Sequence, residues 1–438
     1  MAIPIIHNKE SYMKHARLSL YTLLLAYTLP NQAQDLYHYY RASPFFGEPR
    51  LEKPWLSTLE LSAFTGSTSQ AKNCATATVP LFDMYGIYNM RLLGSGVPDK
   101  DPTNLADIAL INLAQTPANG CYAHVSFPGC FKVIEGVINF TQNFSHGVFG
   151  QVYIPIRNFT IRPGRFIDLS PAQTEGPTSI NTPQWQNFLA QFNAILARYD
   201  LSIAQRKVTN VGAVSLELGW TYNYQETEIL DFVDTTIKTG ILLGTGTERN
   251  PNYVFDISTG YDKHIGIPVT LDMSLGLYEW FTGGIHAGAI GFINRTQNVR
   301  MKTDVGQSGM IKLAQGRATV SMGPIWDMGL YAKADHLNNL MSILVGYTFA
   351  RKECDSICPL SCDGTPSLFD PEIVNTDPQY AGWQMNTINF LLELDFTREN
   401  RRLGPRLGFI YNLNAGGKRV FKNNTAGGYV GLDVAWCY

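Results

Sequence analysis

An all-β fold, an antiparallel up-and-down β-barrel of about 12 strands that crosses a membrane and carries short helices in long extracellular loops, is the class this sequence predicts. Three observations predict it. Period-two alternation of apolar and polar residues recurs along the chain, the connections between these segments are alternately short and long, and the last segment ends in aromatics. Composition agrees: the 438 residues are 45% hydrophobic and 12% aromatic but only 16% charged, against roughly 25% in soluble domains. A net charge of -2 argues against a nucleic-acid binder.

The first element is an export signal. Lys14, His15 and Arg17 precede an apolar run from Leu18 to Leu29, then Pro30 and the small residue Ala33. This predicts a signal peptide over residues 1–33, with a true start at Met13 giving it ordinary proportions, and a periplasmic segment over 34–54. The apolar run is about 12 residues, short of the roughly 20 a spanning helix needs. Membrane insertion would therefore rest on strands, which satisfy their backbone groups in lipid only as a closed barrel.

The barrel, expected over 55–438, follows segment by segment. Leu59, Leu61 and Ala63 alternate with Thr58, Glu60 and Ser62 in 55–64. Segments 132–143 and 148–159 put Ile134, Ile138 and Phe140, then Val152, Ile154 and Ile156, on one face. Segment 210–223 sets Leu216, Leu218, Trp220 and Tyr222 against Ser215, Glu217 and Thr221, and 230–243 sets Val233, Ile237 and Ile241 against Asp234, Thr236 and Lys238. In 268–280, Val269, Leu271 and Met273 oppose Thr270, Asp272 and Ser274, whereas 284–294 has small residues on both faces. Segment 318–333 reads as one strand with Val320, Met322, Trp326, Met328 and Leu330 outward; 340–350 and 386–397 alternate cleanly, and 405–413 and 430–438 complete twelve. Single-chain bacterial barrels require an even number.

Connections after the even-numbered segments are short, and those after the odd ones are long, the main outer loops being 65–131, 160–209, 244–267, 295–317 and 351–385. Short turns on the periplasmic side and long loops outside are the barrel pattern. In the last segment Val430, Leu432, Val434, Trp436 and Tyr438 share one face, and Gly431, Asp433, Ala435 and Cys437 the other. This ending resembles the C-terminal strand of bacterial outer-membrane barrels. The resemblance implies the outer membrane of a diderm bacterium, lipid as a partner, and an assembly signal in Val434, Trp436 and Tyr438 read by the barrel-assembly machinery. It identifies no porin family, substrate or oligomeric state, and is compatible with a homo-oligomer.

Residues 104–114 and 183–199 carry apolar residues at helical spacing, with Trp185, Phe188, Phe192 and Ile195 on one face. They predict helices that either constrict the barrel mouth or cap it from outside. Six cysteines, Cys74, Cys121, Cys130, Cys354, Cys358 and Cys362, fall in outer loops, where an oxidising compartment makes disulfides the expectation. Their spacing matches no metal pair, and no cofactor is expected. No combination of nucleophile, base and orienting group stands out: Ser145 with His146 lies in a short turn and His286 stands alone, so the chain does not read as an enzyme.

The inward faces carry Glu60, Glu135, Glu217, Asp234, Asp272, Asp327, Glu393, Asp395 and Asp433 against Arg157, Lys238, Lys333 and Arg406. Because charges are costly to bury without partners, these thirteen predict a wet, pore-lining wall. An excess of acids favours cations, and twelve strands lie between a filled interior and an open channel. The expectation is a narrow, mildly cation-preferring channel for small solutes. The alternatives are a surface adhesin with bonded loops and an uptake channel for hydrophobic solutes.

Overall fold

A computed structural model describes residues 55–436, apart from 98–99, 118, 172–177, 226–229, 279, 338–339, 361–368 and 397–401. The export signal, the 34–54 segment, Cys362, Cys437 and Tyr438 lie outside the described residues.

Twelve strands form the wall: β1 Leu56–Thr68, β2 Gly129–Asn143, β3 Val148–Pro163, β4 Val214–Gln225, β5 Leu230–Leu243, β6 Gly266–Leu277, β7 Phe281–Phe292, β8 Ile325–Leu337, β9 Met341–Lys352, β10 Trp383–Asp395, β11 Leu403–Lys418 and β12 Thr425–Ala435. Each pairs antiparallel with the next, and β12 pairs with β1 from Leu56↔Ala435 to Gly66↔Thr425, so the sheet closes on itself. The chain is an all-β transmembrane barrel. Its outer face is what lipid requires: Leu61, Leu218, Leu271, Ile285, Leu330 and Phe409 all point outward and are exposed. At the short-turn end an aromatic girdle gathers Trp55, Phe144, Tyr222, Tyr278, Trp280 and Trp436. There Trp55 and Phe144 meet edge to face at 6.1 Å, and the Trp436 indole donates to Ser57 Oγ at 2.6 Å. Amphipathic rings of this kind suit a membrane boundary.

Two strands depart from the sequence pattern. The predicted 318–333 segment is broken at Gly323 and Pro324 into a loop strand, Gln315–Ser321, and β8. Val320 and Met322 are buried and do not face lipid. A side chain at Gly323 would stand 2.3 Å from the Glu353 carbonyl, which is why the chain can turn there. The predicted 210–223 segment is likewise two pieces. Arg206–Val211 extends the wall beside the upper half of β3, from Ile156↔Val211 to Ile161↔Arg206. An irregular step at Gly212 and Ala213 then leads into β4, where the Gly212 amide donates to Pro155 O at 2.6 Å. Pro155 has no N–H of its own to complete a regular ladder.

The long loops fold together over one end of the barrel. Helices α1 (Leu105–Ala114) and α2 (Pro183–Arg198) form as predicted; Asn104 caps α1 by accepting from the Ala106 amide, and proline opens α2. A short α3, Pro371–Val374, follows in the fifth long loop. One apolar core joins Leu110 and Leu113 of α1 and Trp185, Phe188 and Phe192 of α2 to Phe131 and Phe159, the inward residues at the loop ends of β2 and β3. The two helices pack against each other in this layer, where Tyr199 at the end of α2 donates to Asp107 of α1 at 3.0 Å. The turn Leu81–Tyr85 joins the same core: its Phe82 lies against Gly129 of β2 and stacks on Phe255, in the loop between β5 and β6, at 4.0 Å.

Candidate functional site: the barrel interior and its loop seal

Strand alternation fixes which side chains enter the barrel, and register fixes which of them meet. All thirteen predicted residues lie on the inward-facing parity. Glu60, Glu135, Arg157, Glu217, Lys238, Asp327, Glu393, Arg406 and Asp433 are buried, while Asp234, Asp272, Lys333 and Asp395 are half-buried. Within the barrel these charges are met largely by one another.

They meet in local clusters. On β10, β11 and β12, Arg406 lies between Asp433, at 3.1 Å, and Glu393, at 3.5 Å. Thr58 of β1 donates to Asp433 at 2.8 Å, and the Tyr429 hydroxyl to Glu393. Register sets Glu60, Gly431, Arg406 and Asp395 in one row. Between β2 and β3, Arg157 Nε bonds Glu135 at 3.1 Å. Lys238 on β5 reaches Glu217 on β4 at 3.4 Å and donates to Gln151 on β3 at 3.1 Å. Lys333 pairs with Asp335 at 2.8 Å, and Asp234 accepts from Asn223 at 2.5 Å nearer the short-turn mouth.

The sequence reading missed His286 and Asp335. His286 stands between Asp272, at 2.5 Å from Nδ1, and Asp327, at 2.6 Å from Nε2. Both ring nitrogens thus face carboxylates, and His286 links β6 to β8 across β7. The cue was register: Asp272 is the direct cross-strand partner of His286. Close approach of the walls also requires small residues. A Cβ on Gly288 would stand 2.5 Å from Asp327 Oδ1, and one on Gly408 would stand 1.9 Å from the Tyr429 ring.

The connection between β5 and β6 closes the loop end from within. Ser258, Thr259, Tyr261, Asp262 and His264 are all buried. Arg157 Nη1 donates to Thr259 O at 2.8 Å, so the guanidinium that neutralises Glu135 also ties this loop to the inner wall. Thr247 donates its amide to Thr259 Oγ1 at 2.9 Å, and Arg249 grips Asp262 through Nε at 2.9 Å and Nη2 at 2.8 Å. Tyr261 rests on Phe292 of β7 at 5.0 Å. Above this loop, Asp83 accepts from the Phe127 amide at 2.9 Å, and burial pushes its carboxyl above the ordinary range although the hydrogen bonds oppose this.

Five of the six cysteines expected to form disulfides are described. Cys74, Cys121, Cys130, Cys354 and Cys358 are free, and no disulfide joins any of the described residues. All five are exposed: Cys130 is the second residue of β2, Cys358 sits on a loop strand paired with Thr319, and Cys354 accepts from the Gly382 amide. No metal-binding group of three or more His, Cys, Asp or Glu occurs among the described residues.

No family model and no curated protein matches this chain. Among solved structures it is similar to an outer membrane channel from Pseudomonas putida F1, with 6% identity over 90% of this chain and 99% of that one, and a TM-score of 0.49. It is also similar to the Pseudomonas putida toluene transporter TodX, with 11% identity over 92% and 96% of the two chains and a TM-score of 0.32. The Ralstonia pickettii toluene transporter TbuX gives 7% identity over 88% and 90%, with a TM-score of 0.31.

Proposed function

We propose that this chain is a narrow channel of a bacterial outer membrane for passive diffusion of small solutes, held closed in the form described. The observation that carries this reading is the Arg157 to Thr259 contact inside the barrel. A wall built only for rigidity has no need of a polar loop folded into its centre, whereas a passage needs a removable obstruction. With 244–265 withdrawn, the paired side chains become the lining. The row of Glu60, Arg406 and Asp395, with Glu393 and Asp433 beside it, sets four acids around one base, so the opened passage favours cations.

The test is conductance in a planar bilayer under a salt gradient, comparing the wild type with a variant lacking 247–260. Arg157→Gln serves as a second variant that leaves the loop in place but frees it. Rare, brief openings in the wild type and long-lived ones in the variants, reversing on the cation side, are expected. Reversal on the anion side would remove the charge preference. Silence from variants shown to be folded and inserted would remove the channel reading and favour a barrel whose loops bind a surface partner.

A further inference from the structure

We propose that the outer face of β2 and β3, just above the lipid belt, binds a phosphate-bearing lipid headgroup. The belt ends on these strands at Ile134 and Ile156, both exposed. The next outward positions are cationic. Lys132 pairs with Thr160, Thr160 pairs with Lys207, and Arg162 lies two residues beyond Thr160 on the same face. Strand spacing puts the Lys132 and Lys207 backbones about 10 Å apart with Thr160 between them, and Arg162 about 7 Å further along. The three cations thus surround one hydroxyl-bearing position.

All three side chains are exposed. No acid shares these rows, whose other members are Ser67 and Cys130. The row below, toward the belt, holds Asn158 hydrogen-bonded to Thr209. Like charges this close on a sheet repel and are not placed together for stability. Elsewhere at the loop end, outward Arg351 has Glu353 at 3.0 Å to neutralise it. Lys132, Arg162 and Lys207 have no such partner among the described residues.

A phosphate supplies what this patch lacks, since the Arg guanidinium can take two of its oxygens while lysines approach as point charges. Continuity with the belt selects the source: acyl chains attached to the phosphate lie against Ile134 and Ile156, an interaction that free phosphate cannot make. The site is therefore for an amphiphile in the leaflet at the loop end.

The test uses full-length folded protein in neutral detergent, loaded with diphosphoryl lipid A, exchanged into lipid-free detergent and weighed by native mass spectrometry. Wild type is expected to retain one lipid, and K132Q/R162Q/K207Q to bind it at least tenfold more weakly. R351Q should bind like wild type, and millimolar inorganic phosphate should displace nothing. Equal retention by the triple variant, equal retention of the dephosphorylated glycolipid, or displacement by inorganic phosphate would each overturn the proposal. The single variants K132Q and K207Q, at exposed positions, provide the comparison should the triple variant fold poorly; unchanged affinity in both would likewise overturn it.

Discussion

Replacing Arg157 with methionine isolates the energetics of one buried ion pair inside the barrel. Glu135 is fully buried, Arg157 is 3% exposed, and they meet at 3.1 Å. Deleting one partner of such a pair costs about 3–5 kcal/mol because a buried charge is left without compensation. A ceiling follows from chemistry. A stranded carboxylate escapes by taking up a proton, at about 1.4 kcal/mol for every pH unit above roughly 4.3, which is about 4 kcal/mol at pH 7 and about 1 kcal/mol at pH 5. Loss of the bond to Thr259 O adds about 1 kcal/mol at either pH. Urea unfolding from lipid vesicles, followed by tryptophan emission and by gel mobility of the unheated protein, should show Arg157→Met down by about 4–5 kcal/mol at pH 7 and about 2 kcal/mol at pH 5. Adding Glu135→Gln should restore most of the loss at pH 7, since both charges are then gone. A loss under about 1 kcal/mol at pH 7, a loss that does not change with pH, or a double variant as weak as the single one would refute the argument.

Three further outcomes are expected. Gly408→Ala should cost about 1–3 kcal/mol by driving the Tyr429 ring off Glu393, and should cost little in a Tyr429→Ala background; equal losses in both would contradict the packing described. Burial, then the Asp107 carboxylate 3.0 Å away, pushes the Tyr199 hydroxyl up to about 12. A phenol raised in this way contributes stability that is fully present below its ordinary value of about 10 and lost as pH rises through about 12; Trp185 emission should thus report loosening of α1 against α2 in that window, and the same transition in Tyr199→Phe would rule this origin out. Peptide mapping after maleimide treatment of folded protein should find Cys74, Cys121, Cys130, Cys354 and Cys358 all modified without prior reduction, and any site that requires dithiothreitol would point back to a disulfide.

How far the fold could be read depended on where lipid does the selecting. Inside the belt, Ile388, Phe390, Leu392 and Leu394 alternate with polar residues because one face meets hydrocarbon, and β10 was legible almost to its ends. Above the belt the pattern inverts. Lys132 and Arg162 point out while Phe131, Phe159 and Ile161 pack inward against the loops, so β2 and β3 run past their predicted limits. The false join of Gln315–Ser321 to β8 arose because Val320, Met322 and Trp326 happen to share a parity across the turn. For the interior, alternation identified which residues enter but not what they meet. The partners of His286 lie 14 and 41 residues away, and the folding of 244–265 against Arg157 leaves no periodic trace.

The seam between β1 and β12 is where a cylinder made from one chain must shut, joining residues as far apart in the chain as Leu56 and Ala435. Thr58 with Asp433, and Glu60 in the row of Arg406, place polar groups from the first strand beside those of the last two. A slip of one residue would turn Glu60 toward hydrocarbon and set Leu59 among the carboxylates. The alignment of the closing strands is thereby specified from the inside as well as by lipid outside: only the correct register completes the circle without stranding a charge.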